Sequence, residues 1–296
     1  MNLLKNLMSE QKFINKKINS NFLVVGTISN CEKFLEKSLD TIKSSIGQVK
    51  ELHFLITESD SKDKTIHILN KLNKEQKNFN FKSLGSLINK FPIKSDRIAY
   101  CRNEYVFEIN NNNKYKKIDY VVVADFDEIN HNLNSSSFNS CWERDDWDMC
   151  SANQLGPYYD MYALRKSDWI TYDYKLKYSE LKKNNPKYKH HLRDILYSKI
   201  KKIPLENNWI EVDSAFGGLA LYKKKCFKSN KYIGLKQNGD EICEHVYFNF
   251  KLRERGEKLF INPKLINAHY TEHTKPQSIW KKLRRGIKYK FKKFLQ

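Results

Sequence analysis

The sequence predicts an α/β fold: one domain built on a mostly parallel central sheet, Rossmann-like in its layering. Two observations carry that expectation. Short apolar runs alternate with stretches of helical periodicity through the first half of the chain. The runs themselves, NFLVVGTI and YVVVA among them, are apolar almost without interruption, as strands covered on both faces require.

The elements follow in order. Residues 1–20 read as an amphipathic helix on Leu3, Leu4, Leu7, Met8 and Phe13, without the continuous apolar core and cleavage site of an export signal. Asn21–Ser29 is a buried strand. Leu35, Leu39, Ile42 and Ile46 then recur at helical spacing up to Gly47. Glu51–Ser59 is a second strand, Lys62–Gln76 a second helix and Phe81–Gly85 a short third strand. Arg97–Asn110 is a third helix, followed by a polar loop and the strand DYVVVADFD. Beyond it the pattern loosens. Trp169–Asn208 is strongly basic and suits helices and loops, and Ser214–Tyr222 is a strand entered through a glycine pair. Cys243–Gly256 is helical in pattern, and a last strand ends at His269. The expected domain spans residues 21–275, dividing near residue 130, with a tail over 276–296.

The formal charge is +20, from 54 Lys and Arg against 34 Asp and Glu. Such a field attracts polyanions, anionic lipid or phosphorylated small molecules, although a general Lys, Asn and Ile bias would also produce it. No run of about 18 apolar residues is present, which excludes a hydropathy-defined membrane span. The six cysteines form no CxxC or zinc-type spacing and read as reduced, buried thiols of a cytoplasmic protein. In the tail, Trp280, Leu283, Ile287, Phe291 and Phe294 share one stripe amid lysines and arginines. That pattern suits a helix lying on an anionic membrane surface, and places the protein peripherally on the inner face of a membrane.

Ligands of open α/β sheets bind beyond the carboxyl ends of the strands. In ADFDE, Asp125 and Asp127 leave a buried strand two positions apart, so a bend there would bring both to one Mg²⁺ or Mn²⁺. In ITESDSKDKT, Glu58 and Asp60 are acceptors for a ribose or base, and Ser61 or Asp63 would cap the next helix. Arg97 and Arg102 suit phosphate oxygens.

Together VVGTISNCEKFLEKSLDTI, ITESDSKDKT, RIAYCRNEY and VVVADFDEI resemble a GT-A fold glycosyltransferase of the family 2 type. GPYYDMYALRKSDW is similar to a stretch of the fungal capsule-associated mannosyltransferases. The resemblance covers roughly Asn21 to Tyr270 and implies a metal-dependent transferase using a UDP- or GDP-linked sugar. It divides the domain into a nucleotide-sugar half, 21–130, and an acceptor half, 131–275. It implies that Gly26, Thr27, Glu58, Asp60, Arg97, Arg102 and Asp125 contact the donor. Asp125, Asp127 and His269 would address the metal, with His273 as a fallback. An inverting reaction needs a general base, for which Asp240, Glu241 and Glu244 are candidates and Glu244 matches the catalytic position. The capsule enzymes are retaining, so the stereochemistry stays open. Tyr158, Tyr159 and Tyr162 could stack on sugar faces, Asp160 and Arg165 could bond hydroxyls, and Gly217 and Gly218 would allow close approach. The acceptor is expected to be a glycan or lipid-linked saccharide in cell-surface synthesis. A nucleotidyltransferase is the first alternative, but VVGTISNCEKF carries one glycine and no phosphate-binding loop. A basic nucleic-acid-binding protein is the second; no nucleic-acid motif supports it, and none is expected as a partner.

Overall fold

The computed structural model describes residues 13–270. Most of the expected N-terminal helix, His273 and the whole basic tail lie outside the described residues. The elements are β1 (Asn21–Ile28), α1 (Leu35–Ile46), β2 (Glu51–Glu58), α2 (Thr65–Glu75), β3 (Phe79–Ser83), α3 (Lys94–Asn111), β4 (Tyr120–Ala124) and α4 (Ser135–Asn139). They continue as β5 (Met149–Gln154), α5 (Tyr174–Asn184), α6 (His191–Ile195), β6 (Ile210–Glu211), β7 (Leu219–Lys223), α7 (Glu244–Glu254) and β8 (Leu259–Ala268).

All eight strands form one sheet in the order β3-β2-β1-β4-β7-β5-β8-β6. The first four are mutually parallel. β7 runs antiparallel between β4 and β5, β8 is parallel to β5, and the short β6 closes the edge antiparallel. The expected α/β domain on a mostly parallel sheet is therefore present, with the antiparallel pairs confined to the second half.

Side chains alternate across each strand, so each strand feeds two cores. Leu23, Val25, Val121 and Val123 pack on one face with Ala99, Tyr105 and Val106 of α3 and Phe248 and Leu252 of α7. Phe22, Val24 and Val122 pack on the other with Leu35, Leu39 and Ile42 of α1 and with Trp142 and Trp147. That two-sided burial is why these strands read as unbroken apolar runs. β5 escapes the apolar-run criterion because Ser151, Asn153 and Gln154 are buried polar residues paired inside the sheet. Pro263 breaks the regular ladder of β8, and the β5–β8 register shifts there.

Candidate active site

β1, β2 and β4 are neighbours in register, with Ile28 opposite Glu58 and Val25 opposite Val123. Their carboxyl ends consequently lie side by side, and a cavity of about 630 Å³ opens beyond them. Thr27, Asp60, Arg97, Arg102, Asp125 and Asp127 reach its wall from this half of the sheet. Tyr159, Asp160, Phe216, Glu241, Glu244 and His245 reach it from the other.

The chain does bend at ADFDE. The Asp125 N–H donates to the Gly218 carbonyl at 3.0 Å. The Asp125 carbonyl accepts from Asn130 Nδ2 at 2.8 Å. Asn267, at the end of β8, donates to Asn130 Oδ1 at 2.9 Å and to the Gly217 carbonyl at 2.8 Å. Glu128 takes a left-handed φ of 72°, completing the turn. Between the two aspartates Phe126 folds back into the core, where a Cβ on Gly26 would stand 2.4 Å from its ring. Gly26 is thus a packing position beneath the site and not part of its wall.

Asp125 and Asp127 differ in setting. Asp127 is exposed at the cavity mouth. Asp125 keeps 32% of its side chain open, but that opening faces the cavity and a ring of other carboxylates. Burial first, then the charges of Asp127, Asp160 and Glu244, push its pKa up to about 8, against the pull of Arg102. Concentrated negative charge of this kind favours a cation. Among the described residues, no group of three or more His, Cys, Asp or Glu could hold a metal unaided. Two carboxylates nevertheless fit Mg²⁺ or Mn²⁺ when substrate phosphates and water complete the shell. His269 lies exposed beyond β8, its ring 5.2 Å from that of Tyr270, and is not on the cavity wall.

Asp60 sits at φ 61°, two residues beyond the end of β2. Burial raises its pKa, but the N–H groups of Leu87 (2.8 Å) and Ile88 (3.0 Å), the Ser59 hydroxyl and Arg97 Nε at 3.4 Å outweigh this, and the net shift is downward. Glu58 is fully buried, accepting from Ser61 N–H and the Ser83 hydroxyl, so it braces the loop and does not line the cavity. The N-cap of α2 is Lys64, with no side-chain cap, so neither Ser61 nor Asp63 takes that position; Asp63 instead accepts from the Thr65 N–H at 3.0 Å and the Glu32 N–H at 3.1 Å.

Arg102, at the cavity wall, is already engaged by side chains of the protein. Its Nε lies 3.1 Å from Glu244 Oε1, its Nη2 3.5 Å from Asp125 Oδ1, and its Nη1 3.2 Å from the Tyr105 hydroxyl. The guanidinium is sandwiched near the Phe216 and Tyr232 rings at 5.4 and 5.6 Å. It therefore links the β4 aspartate to the first residue of α7. Next to Glu244, the buried His245 ring stacks on Phe216 at 3.9 Å. Burial, then Arg102, holds its pKa well below the usual histidine value, so the ring is neutral.

On the acceptor side, Tyr159 and Asp160 line the cavity. Asp160 accepts from the Gly217 N–H at 2.9 Å and the Ala163 N–H at 3.2 Å, while burial raises its pKa. Tyr158 is buried in the core against Trp169, whereas Tyr162 reaches the wall. Arg165 does not reach the cavity; it bonds the carbonyls of Tyr162 and Leu164 and pairs with Asp173 at 3.3 Å. Gly217 and Gly218 lie behind the wall at φ 70° and 83°, shaping the turn that receives Asp125. Of the other candidate bases, Glu241 lines the cavity, bonded to the Ser95 hydroxyl, while Asp240 belongs to an exposed turn with Asn238. Lys94, Ser95, Lys175 and Phe216 also line the cavity without having stood out in the sequence, because only the packing of α3, α5 and the β6–β7 connection brings them there.

No protein-family model matches this chain, and no curated protein does. Solved structures are similar at a low level. Staphylococcus aureus TarS 1–349 in complex with UDP is 14% identical at a TM-score of 0.45, over 81% of this chain and 57% of that one. The mannosyltransferase PcManGT from Pyrobaculum calidifontis, in complex with GDP-Man and Mn²⁺, is 13% identical at 0.47, over 95% and 67%. Glucosyl-3-phosphoglycerate synthase from Mycobacterium tuberculosis, in complex with UDP, is 12% identical at 0.43, over 90% and 76%. The chain thus spans little more than half of the TarS fragment. Overlap this loose leaves the geometry of the cavity to carry the functional reading.

Proposed function

We propose that this chain is a GT-A type glycosyltransferase that moves a sugar from a nucleotide-sugar donor to a glycan or lipid-linked acceptor. The observation that supports it best is the joining of two sets of carboxylates in one cavity. Asp125 and Asp127 stand at the end of β4, and Glu244 stands across from them at the start of α7, linked to Asp125 through Arg102. In this reading Thr27, Asp60 and Arg97 form the nucleoside end, and Asp125 and Asp127 hold Mn²⁺ or Mg²⁺ with the diphosphate. The bound cation would offset the negative charge that develops on the leaving nucleoside diphosphate. Arg102 fixes one oxygen of Glu244, leaving the other to accept the proton of an acceptor hydroxyl if the reaction inverts. Tyr159, Tyr162 and Asp160 form the acceptor wall. The anomeric configuration of the product, read by NMR, decides between inversion and retention. A nucleotidyltransferase fits less well, since the β1–α1 connection, SNCEKF, contains no glycine for a phosphate-cradling loop.

The test is a thermal-shift series with UDP and GDP, each with and without Mn²⁺. A ligand at about 100 times its Kd adds roughly 2.7 kcal/mol, a shift of several degrees. We expect one nucleoside diphosphate to raise Tm in a Mn²⁺-dependent way and Asp127→Ala to abolish that increment. No response to any nucleoside diphosphate would overturn the reading.

A further inference from the structure

Resting on the glycosyltransferase reading, we infer that Gln154, Asn267 and Asn130 are positioning residues: a connected line of three buried side-chain amides that holds the metal-bearing turn at a fixed distance from the acceptor wall. None of the three lines the cavity. They stand behind it, at the ends of β5 and β8 and in the loop after β4, with Gln154 and Asn267 at 0% exposure and Asn130 at 2%. The sheet order β4-β7-β5-β8 brings these places together, and the pairing of Gln154 with Ala268 sets Gln154 beside Asn267.

The line runs in one direction. The Tyr159 N–H, on the acceptor wall, donates to Gln154 Oε1 at 3.4 Å. Gln154 Nε2 donates to Asn267 Oδ1 at 3.0 Å, and Asn267 Nδ2 to Asn130 Oδ1 at 2.9 Å. Asn130 Nδ2 donates to the Asp125 carbonyl at 2.8 Å. The second hydrogen of each amide goes to the glycine pair. Gln154 and Asn267 both reach the Gly217 carbonyl, at 3.3 and 2.8 Å, and Asn130 reaches that of Gly218 at 3.2 Å. The Gly217 N–H in turn donates to Asp160 Oδ2 on the acceptor wall at 2.9 Å. The Asn267 carbonyl also accepts from the Asn132 N–H at 2.9 Å, so β8 holds the loop after β4 at two points. Every amide hydrogen and oxygen of the three is thus engaged, and turning one amide over would set acceptor against acceptor. A satisfied buried network of this kind is rigid and specifies one arrangement. Stability alone does not call for it, since apolar groups of the same shape in place of a whole polar set are nearly neutral. What the amides add is direction and distance. One end meets the turn of Asp125 and Asp127, and the other meets Tyr159 and Asp160. In this reading they fix how far the donor diphosphate stands from the acceptor hydroxyl, where a displacement of about 1 Å costs on the order of a hundredfold in rate.

The test measures the Kd of Mn²⁺ in the presence of whichever of UDP and GDP responds in the thermal-shift series, and the Kd of the same nucleotide without metal. Asn130→Ser removes the donor to the Asp125 carbonyl, and Asn267→Ser removes the middle of the line. Each should weaken Mn²⁺ binding by about tenfold or more, while metal-free nucleotide affinity, set by Thr27, Asp60 and Arg97, stays within about twofold. Gln154→Met, uncharged and of similar length, is the mildest change; it should shift the Mn²⁺ Kd in the same direction and decides the matter if a serine variant does not fold. Ser151→Ala is the control for lost stability. Ser151 is equally buried in β5, but its hydroxyl donates to the Phe260 carbonyl at 3.2 Å, outside the line. That variant should lower Tm and leave the Mn²⁺ Kd unchanged. Wild-type Mn²⁺ affinity in the folded variants of the line would overturn the proposal, and so would an equal loss in Ser151→Ala. A wild-type Mn²⁺ response that the variants leave unaltered rejects this inference alone. The absence of any such response from wild type rejects the glycosyltransferase reading instead.

Discussion

Asp125 shows how a single residue reports its surroundings. Its carboxyl, pushed up to about 8 by burial and by Asp127, holds a proton in the folded protein that the unfolded chain loses near pH 4. Between those values the folded state binds more protons, so this group lowers stability as pH rises from about 4 to about 8. Asp125→Asn should therefore be stabilising without ligand, with its Tm advantage growing across that interval. Melting curves at intervals from pH 5 to 9 check it, and a constant difference would contradict the assignment. Arg102 and Glu244 form the second residue-scale case. Glu244→Gln keeps a hydrogen-bond acceptor for Arg102, and should retain nucleotide binding while losing transfer by more than about a hundredfold if Glu244 is the base. Arg102→Met leaves the buried Glu244 without its counter-ion, and should cost about 3–5 kcal/mol in chemical denaturation. The acids and arginines were legible as candidates from sequence. The engagement of Arg102 was not, since α7 and the end of β4 supply its partners Glu244 and Asp125.

At the scale of elements, the site depends on how two turns meet. The glycine pair before β7 takes left-handed backbone conformations, and a Cβ on Gly217 would lie 2.7 Å from the Ala152 carbonyl oxygen. Gly217→Ala should destabilise the fold by more than about 1 kcal/mol and weaken Mn²⁺-dependent nucleotide binding through the Asp125 turn. Denaturant titration with a nucleotide-binding measurement reads both. The strands β1, β2 and β4 were legible because burial on both faces leaves an apolar run. β5 was not, because Asn153 and Gln154 spend their amides on the carbonyls of Pro263 and Gly217, partners that exist only after the sheet assembles. Likewise Glu58 read as a ligand contact at the end of β2, yet its carboxylate is turned inward to Ser61 and Ser83.

For the whole molecule, the strand order 3-2-1-4 in the first half sets the ends of β1, β2 and β4 beside one another, and α7 closes the cavity from the second half. Among the described residues no helix is long and apolar enough to cross a membrane. The peripheral attachment expected from the sequence rests on the basic tail pattern, which lies outside the described residues. Deleting Ser278–Gln296 should weaken sedimentation with anionic vesicles by about tenfold or more at low salt, and unchanged sedimentation would remove that role. The sequence alone determined the α/β class, the parallel first half and the acidic exit of β4, because periodicity and burial are local signals. Tertiary structure alone decided that Arg102 spans Asp125 and Glu244, that Gly26 and Glu58 lie behind the wall, and that Lys175 lines the cavity. Those facts depend on which side chains meet once the chain is folded, across separations from 23 positions for Arg102 and Asp125 to 142 for Arg102 and Glu244, and local patterning carries no information about which partner will be met.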